Sequence, residues 1–189
     1  ANKAGIPIEH AARTVRGLLQ ESFERDLPED CGDFVASGVE GFREHHALYE
    51  YLIWRTVAVT ELCREIRQAV DARTEVYFLG LFTPATSWLF GVDFADVTNE
   101  VDGIVVCCYD SPAAQVGEDM RMSRMELQHK QEKRVFTGLR VFHPEVRNEE
   151  DFRHKVKAAV DAGTDGFVFY NYGLIPAGRL DWVRRSIMG

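Results

Sequence analysis

Four short apolar runs constrain this chain more than anything else in it. They are Glu75–Phe82 (EVYFLGLF), Asp102–Cys108 (DGIVVCC), Val135–Phe142 (VFTGLRVF) and Phe167–Tyr170 (FVFY). Their apolar residues are nearly continuous rather than alternating. A strand exposed on one side alternates polar and apolar residues, whereas a strand buried on both faces does not. Between the runs lie stretches with helical spacing, so strand and helix alternate four times. That pattern predicts an α/β fold with a parallel sheet, built from about four βα units. Asp102-Gly103 and Asp165-Gly166 open two of the runs with the same two residues, which predicts equivalent turns in a repeating unit.

The helical spacing is explicit. Ala12, Val15, Leu18, Leu19 and Phe23 predict a helix over 6–27, with Pro7 in its first turn and Leu27–Gly32 breaking it. Residues 33–43 fit either a small helix or an ordered loop. Leu48, Leu52, Val59, Leu62, Ile66 and Ala69 predict one stripe of a long helix over 46–72; Arg55 beside it either snorkels or orders a neighbouring loop. Residues 94–101 read as a short helix or turn, and 113–133 as a charged helix after Pro112. Asn148 caps the next helix, Glu149, Glu150 and Asp151 complement its dipole, and Phe152, Val156, Ala159 and Val160 form its core stripe. Gly163 ends it. A last helix runs from about Arg179 to Met188. The expected organisation is a helical segment over 1–45 and one continuous domain over 46–189.

Two architectures accommodate four βα units: an open doubly wound sheet, or part of a (βα)8 barrel. A full barrel takes ~250 residues, and this chain has 189. A doubly wound nucleotide-binding domain carries a Gly-rich loop after its first strand; the stretch Leu81-Phe-Thr-Pro-Ala-Thr86 lacks those glycines. Half a TIM barrel behind an N-terminal helical segment is the expected fold. In parallel folds ligands sit beyond the carboxyl ends of the strands. Those positions carry Trp88, Tyr109, Asp110, His143, Tyr170, Asn171 and Tyr172, a polar and aromatic set suited to a small carbohydrate.

Net charge −8 and only short, interrupted basic clusters argue against nucleic acid and against an anionic membrane. No apolar run approaches the ~20 residues of a membrane span, and residues 1–5 are not a signal peptide. Cys31, Cys63, Cys107 and Cys108 form no CxxC pair, so buried free thiols are expected, with no metal and no cofactor. Free thiols favour the cytoplasm. Cys107 and Cys108 are adjacent on a strand and should face opposite ways.

Three segments carry a family resemblance. They are Tyr51-Leu-Ile-Trp-Arg55 with Leu62 and Ile66-Arg67; Val101-Asp-Gly-Ile-Val105 with Tyr109; and Ala162-Gly-Thr-Asp-Gly-Phe-Val-Phe-Tyr-Asn-Tyr-Gly173 with Leu180-Asp-Trp-Val-Arg184. Together they resemble the C-terminal half of glycoside-hydrolase-like TIM barrels related to clan-A and family-10-like enzymes, over roughly Tyr51–Arg185. The resemblance implies that the first four strands of such a barrel lie outside this chain. It also implies a carboxylate pair at the ends of barrel strands four and seven, and Val141-Phe-His-Pro-Glu145 falls at the seventh.

Glycoside hydrolysis requires two carboxyl groups. The strand-end acids here are Asp110 and Glu145. Asp110 is equally an N-cap for the helix after Pro112, and Glu145 equally a solvated loop acid. His143 is a sugar ligand, a general base or a structural loop residue. Tyr170 and Tyr172 share a face if the strand continues through them; with Asn171 they line a pocket or pack the rim. Trp88 is a stacking platform or a loop anchor. Asp102 and Asp165 start strands, at the end away from a ligand, and read as structural. Two functions follow: a carbohydrate-active hydrolase or its C-terminal half, and a non-catalytic half-barrel completed by a second chain or by a missing N-terminal half. A phosphate site at the helix start after Gly173, with Gly178 and Arg179, is a third option.

Overall fold

The computed structural model describes residues 5, 7–25, 35–80, 83–130 and 132–188. The expected helix breaker at Leu27–Gly32, Cys31 within it, and the Leu81-Phe82 end of the first apolar run lie outside those residues. The chain divides into two compact units: residues 1–69 with 85–97, and residues 70–84 with 98–189.

In the first unit, α1 (Ile8–Arg25) packs against α2 (His46–Ala69). Ala11, Leu48 and Leu52 meet Phe42 and Trp88 in a small core. Pro7 precedes α1 and its carbonyl accepts from the N–H groups of His10 and Ala11. Residues 39–42 form a 3-10 turn. The α2 stripe differs from the expected one. Its buried residues are Leu48, Leu52, Thr56, Thr60 and Cys63, while Leu62 and Ile66 are exposed by 55% and 44%. The packed row steps mostly by four, the inclined ridge of an α-helix, and so takes in two threonines. The Thr56 hydroxyl is satisfied by the Ile53 carbonyl at 2.8 Å. Arg55 orders a loop: its Nη2 donates to the Leu89 carbonyl at 3.1 Å.

The second unit is the expected α/β architecture. Strands β1 (Tyr77–Gly80), β2 (Gly103–Cys107), β3 (Arg134–Arg140) and β4 (Gly166–Tyr170) form one parallel sheet in the order β1-β2-β3-β4. The short α3 (Phe94–Glu100), whose first four residues belong to the first unit, precedes β2, and helices α4 (Ala113–Glu126), α5 (Glu149–Asp161) and α6 (Ala177–Met188) follow β2, β3 and β4 in turn. Strand order follows chain order throughout. A doubly wound sheet would reverse at a switch point; this one does not, and it is an open stretch of barrel wall. α4 packs on α5 and α5 on α6, as right-handed crossovers on one face require.

The two faces differ. Cys108, Val135, Leu139 and Val141 point toward the helices and are essentially inaccessible, as are Met120 of α4 and Phe152 of α5. Phe152 packs on Phe169, ring centroids 5.8 Å apart. The opposite face carries Tyr77, Val105, Cys107, Tyr109, Phe136 and Val168 as one cluster. Cys107 and Cys108 therefore do face opposite ways, and both are free thiols.

The repeated Asp-Gly pair has a common geometry. The Asp102 carboxylate accepts from the Val76 N–H at 2.7 Å while the Asp102 N–H donates back to the Val76 carbonyl at 2.8 Å. Asp165 does the same with Val135, at 2.6 and 2.8 Å. Each aspartate thus holds the start of the preceding strand. Each following glycine is in register with an aromatic residue on that strand: Gly103 with Tyr77, Gly166 with Phe136. A Cβ would meet the Tyr77 ring at 2.9 Å or the Phe136 ring at 2.8 Å. The Asn148 side chain caps α5 by accepting from the Asp151 N–H at 2.9 Å. Lys155 rather than Val160 joins the buried row of α5, exposed by 3% against 57%. No described helix is long and apolar enough to cross a membrane.

Candidate functional site

The carboxyl ends of β2, β3 and β4 meet around a residue that strand patterning passed over, Arg140. As the last residue of β3, it lies in register with Tyr170, the last of β4. Tyr109 and Tyr170 stack with centroids 5.2 Å apart and planes at 26°. The Arg140 guanidinium lies 4.8 Å above the Tyr109 ring and 5.9 Å from that of Tyr170. Cation–π contact of this kind holds a guanidinium in place without neutralising it.

Arg140 Nη1 then meets both strand-exit acids. It is 3.4 Å from Asp110 Oδ1 and in closer contact with Glu145 Oε1. Two carboxylates from separate loops converge on one guanidinium nitrogen. Asp110 does not cap the following helix: the N-cap of α4 is Pro112, and no side chain caps it. Nor is Glu145 a solvated loop acid, since its side chain is only 11% exposed against 80% for Asp110. Its own backbone N–H and the Arg140 guanidinium hold the Glu145 carboxyl below the usual carboxylate range. Its Oε2 and the Arg140 Nε are buried with no hydrogen-bond partner among the described residues.

Below the aromatic pair, burial pushes the Tyr109 phenol up, and its hydrogen bond with Cys107 adds to the shift. Tyr109 is therefore a neutral donor. Burial likewise raises the Cys107 thiol and, with Asp119 beside it, pushes Cys108 up to about 12. Neither cysteine is a thiolate nucleophile.

A cleft of about 650 Å³ opens beside the two acids, lined by Asp110, Pro112, Pro144, Glu145, Arg147, Asp151 and Lys155. His143, exposed, precedes Pro144 through a cis bond. The remaining expected residues go elsewhere. Asn171 turns its side-chain oxygen to the Leu174 N–H at 3.1 Å and caps the 3-10 turn Tyr172–Leu174. β4 stops at Tyr170, so strand alternation does not reach Tyr172, which is 79% exposed in that turn. Trp88 belongs to the first unit, where its ring packs 5.5 Å from Phe42 and its Nε1 donates to the Val35 carbonyl at 3.2 Å. Asp102 and Asp165 sit at the opposite end of the strands. Arg179 gives its Nη1 to the carbonyls of Val141 and Val146, both at 3.1 Å, and its plane to Trp182. No group of three or more His, Cys, Asp or Glu able to hold a metal occurs among the described residues.

Two residues of this site were legible only as exceptions. Arg140 is a lone charge inside a continuous apolar run, and Lys155 a lone charge one turn along from Phe152. Comparison with known protein families, curated proteins and solved structures gives no match.

Proposed function

We propose that the carboxyl end of this sheet binds a carbohydrate and that the domain is a glycoside-hydrolase-like barrel wall, with Asp110 and Glu145 as its carboxylate pair. One observation carries the reading: two acids from different strand exits share Arg140 Nη1 and line one cleft of about 650 Å³. That volume is in the range of small-molecule sites, roughly 300–1,000 Å³. Glycoside hydrolysis needs one carboxyl group to protonate the leaving oxygen and another to act as base or nucleophile. Glu145, held ionised, suits the second role. Asp110, open to solvent, is left for the first. Tyr170, 42% exposed, offers a ring face to a sugar, and His143 is exposed next to Pro144 of the lining. The measurement is hydrolysis of a panel of aryl glycosides. Asp110→Asn and Glu145→Gln should each reduce the rate on any substrate turned over by about 10²-fold or more; equal rates in both variants would remove the acids from the chemistry.

A second reading is a non-catalytic half-barrel completed by another chain. It is supported by the outer edges of β1 and β4, which pair with no strand among the described residues, and by Leu79 on β1, exposed by 53%. Open edges invite pairing. Light scattering that finds a monomer at all concentrations, with no partner required, would sink it.

A further inference from the structure

The charges that line the cleft are unequally engaged. Each of its three acids already has a partner on one carboxylate oxygen, while Glu145 Oε2 has none among the described residues. Glu145 and Asp110 meet Arg140, and Asp151 accepts from the Arg147 N–H at 3.2 Å while its own N–H goes to Asn148. The positive groups are not matched in the same way. Lys155 is 3% exposed, and its Nζ donates to the Glu145 carbonyl at 2.7 Å. Among the described residues that carbonyl is its one hydrogen-bond acceptor, and no carboxylate pairs with it. An ammonium has three N–H groups, and a buried cation without a counter-ion is costly. Two of its three N–H groups have no acceptor among the described residues.

A second positive element faces the same space. Pro112, the N-cap of α4, lines the cleft. The fourteen-residue α4 has no side-chain cap and no acid in its first turn, whereas α5 has the Asn148 cap and Glu149, Glu150 and Asp151. The N–H groups and positive dipole end of α4 therefore have neither a side-chain cap nor a first-turn acid among the described residues. Arg147 adds a third positive group to the lining.

We infer that this cleft binds the oxyanion of its ligand, a carboxylate or a phosphate, between Lys155 Nζ and the N-terminus of α4. The inference rests on the cleft being the ligand site and narrows its sugar to an acidic one, a uronic acid or a sugar phosphate. The anion would supply the acceptors that Lys155 lacks and the charge that the helix end favours. The net charge of −8 gives no hint of such a site, because it sums the whole chain and says nothing of which charges share a cleft.

The test is calorimetric titration of the intact chain with D-glucuronate, glucose 6-phosphate, glucose and inorganic phosphate. At least one acidic sugar should bind about tenfold or more tightly than glucose, and which one tells carboxylate from phosphate. Lys155→Met should abolish the preference and Lys155→Arg retain part of it. Ala114→Asp puts a carboxylate at an exposed position in the first turn of α4. It should leave the fold at least as stable, since an acid there complements the dipole, and should abolish the preference by compensating the helix end that the anion would otherwise meet. Glucose bound as tightly as both acidic sugars would overturn the oxyanion site while leaving a sugar site intact. Inorganic phosphate bound with no sugar bound would keep the oxyanion site and discard the carbohydrate reading. No binding of any probe would discard both. An undiminished preference in folded Ala114→Asp would also overturn the assignment.

Discussion

The two ends of the sheet handle charge in opposite ways. At the amino ends of the strands, each aspartate clamps one backbone unit, Asp102 that of Val76 and Asp165 that of Val135, both accepting and donating, and Asp165 also pairs with Arg124. At the carboxyl ends, one guanidinium serves two carboxylates, and two buried polar atoms, Arg140 Nε and Glu145 Oε2, have no partner among the described residues. The first arrangement is closed: each group there has what it needs from its own fold. The second leaves buried polar atoms unpaired, and such atoms in native structures call for a reason. In parallel α/β walls the amino ends of the strands commonly serve stability, and the closed arrangement here fits that use.

That contrast predicts where substitutions will hurt the fold. The largest effect should come from Gly103→Ala, because the new Cβ runs into the backbone carbonyl of Arg134 as well as the Tyr77 ring, and backbone cannot step aside. A loss of about 3 kcal/mol in urea unfolding is expected. Asp165→Ala comes next. It strips the Val135 N–H of its acceptor and leaves Arg124, which pairs with Asp165, without its partner; about 2 kcal/mol is expected. Gly166→Ala should cost less, about 1 kcal/mol, since the Cβ meets only the Phe136 ring, which can tilt. If Gly166→Ala proved as damaging as Gly103→Ala, the closed end would not be as graded as its contacts imply.

The sequence was informative where one residue type has one physical use. Continuous apolar runs specify a parallel sheet, and β2 is buried throughout while β1 and β4 at the edges are only half-buried; the repeated Asp-Gly pair announces equivalent turns because both residues are needed in the same place. It was ambiguous where a residue has several uses. Asp110 before Pro112 is a fair N-cap in sequence, but Pro112 itself takes the N-cap position, and the acid turns to Arg140. Trp88 reads equally as a platform or an anchor; only the first unit's core, with Phe42 beside it, decides. Arg140 and Lys155 were invisible to apolar counting because each occupies a position the pattern assigns to the interior, and the partners that admit a charge there come from other strands and loops.

The open end should respond to pH more than to truncation. Glu145 titrates below the usual carboxylate range in the folded protein, through its own N–H and through Arg140. A carboxyl depressed by folding contributes stability above its unfolded value and loses it as pH falls through the folded one. Arg140→Met removes the guanidinium but leaves the backbone donor, so the Glu145 titration should move back toward ordinary without reaching it. The acid loss of stability should then be smaller and should be complete at a higher pH. Carboxyl-carbon NMR titration of Glu145 reads this directly. At neutral pH the melting temperature should fall less than in any amino-end variant. The two tyrosines under Arg140 keep their own stacking, and Asp110, one of the two acids it meets, is already open to solvent. A melting loss in Arg140→Met as large as that of Gly103→Ala would make Arg140 a structural strut, and the carboxyl end would then be as closed as the amino end.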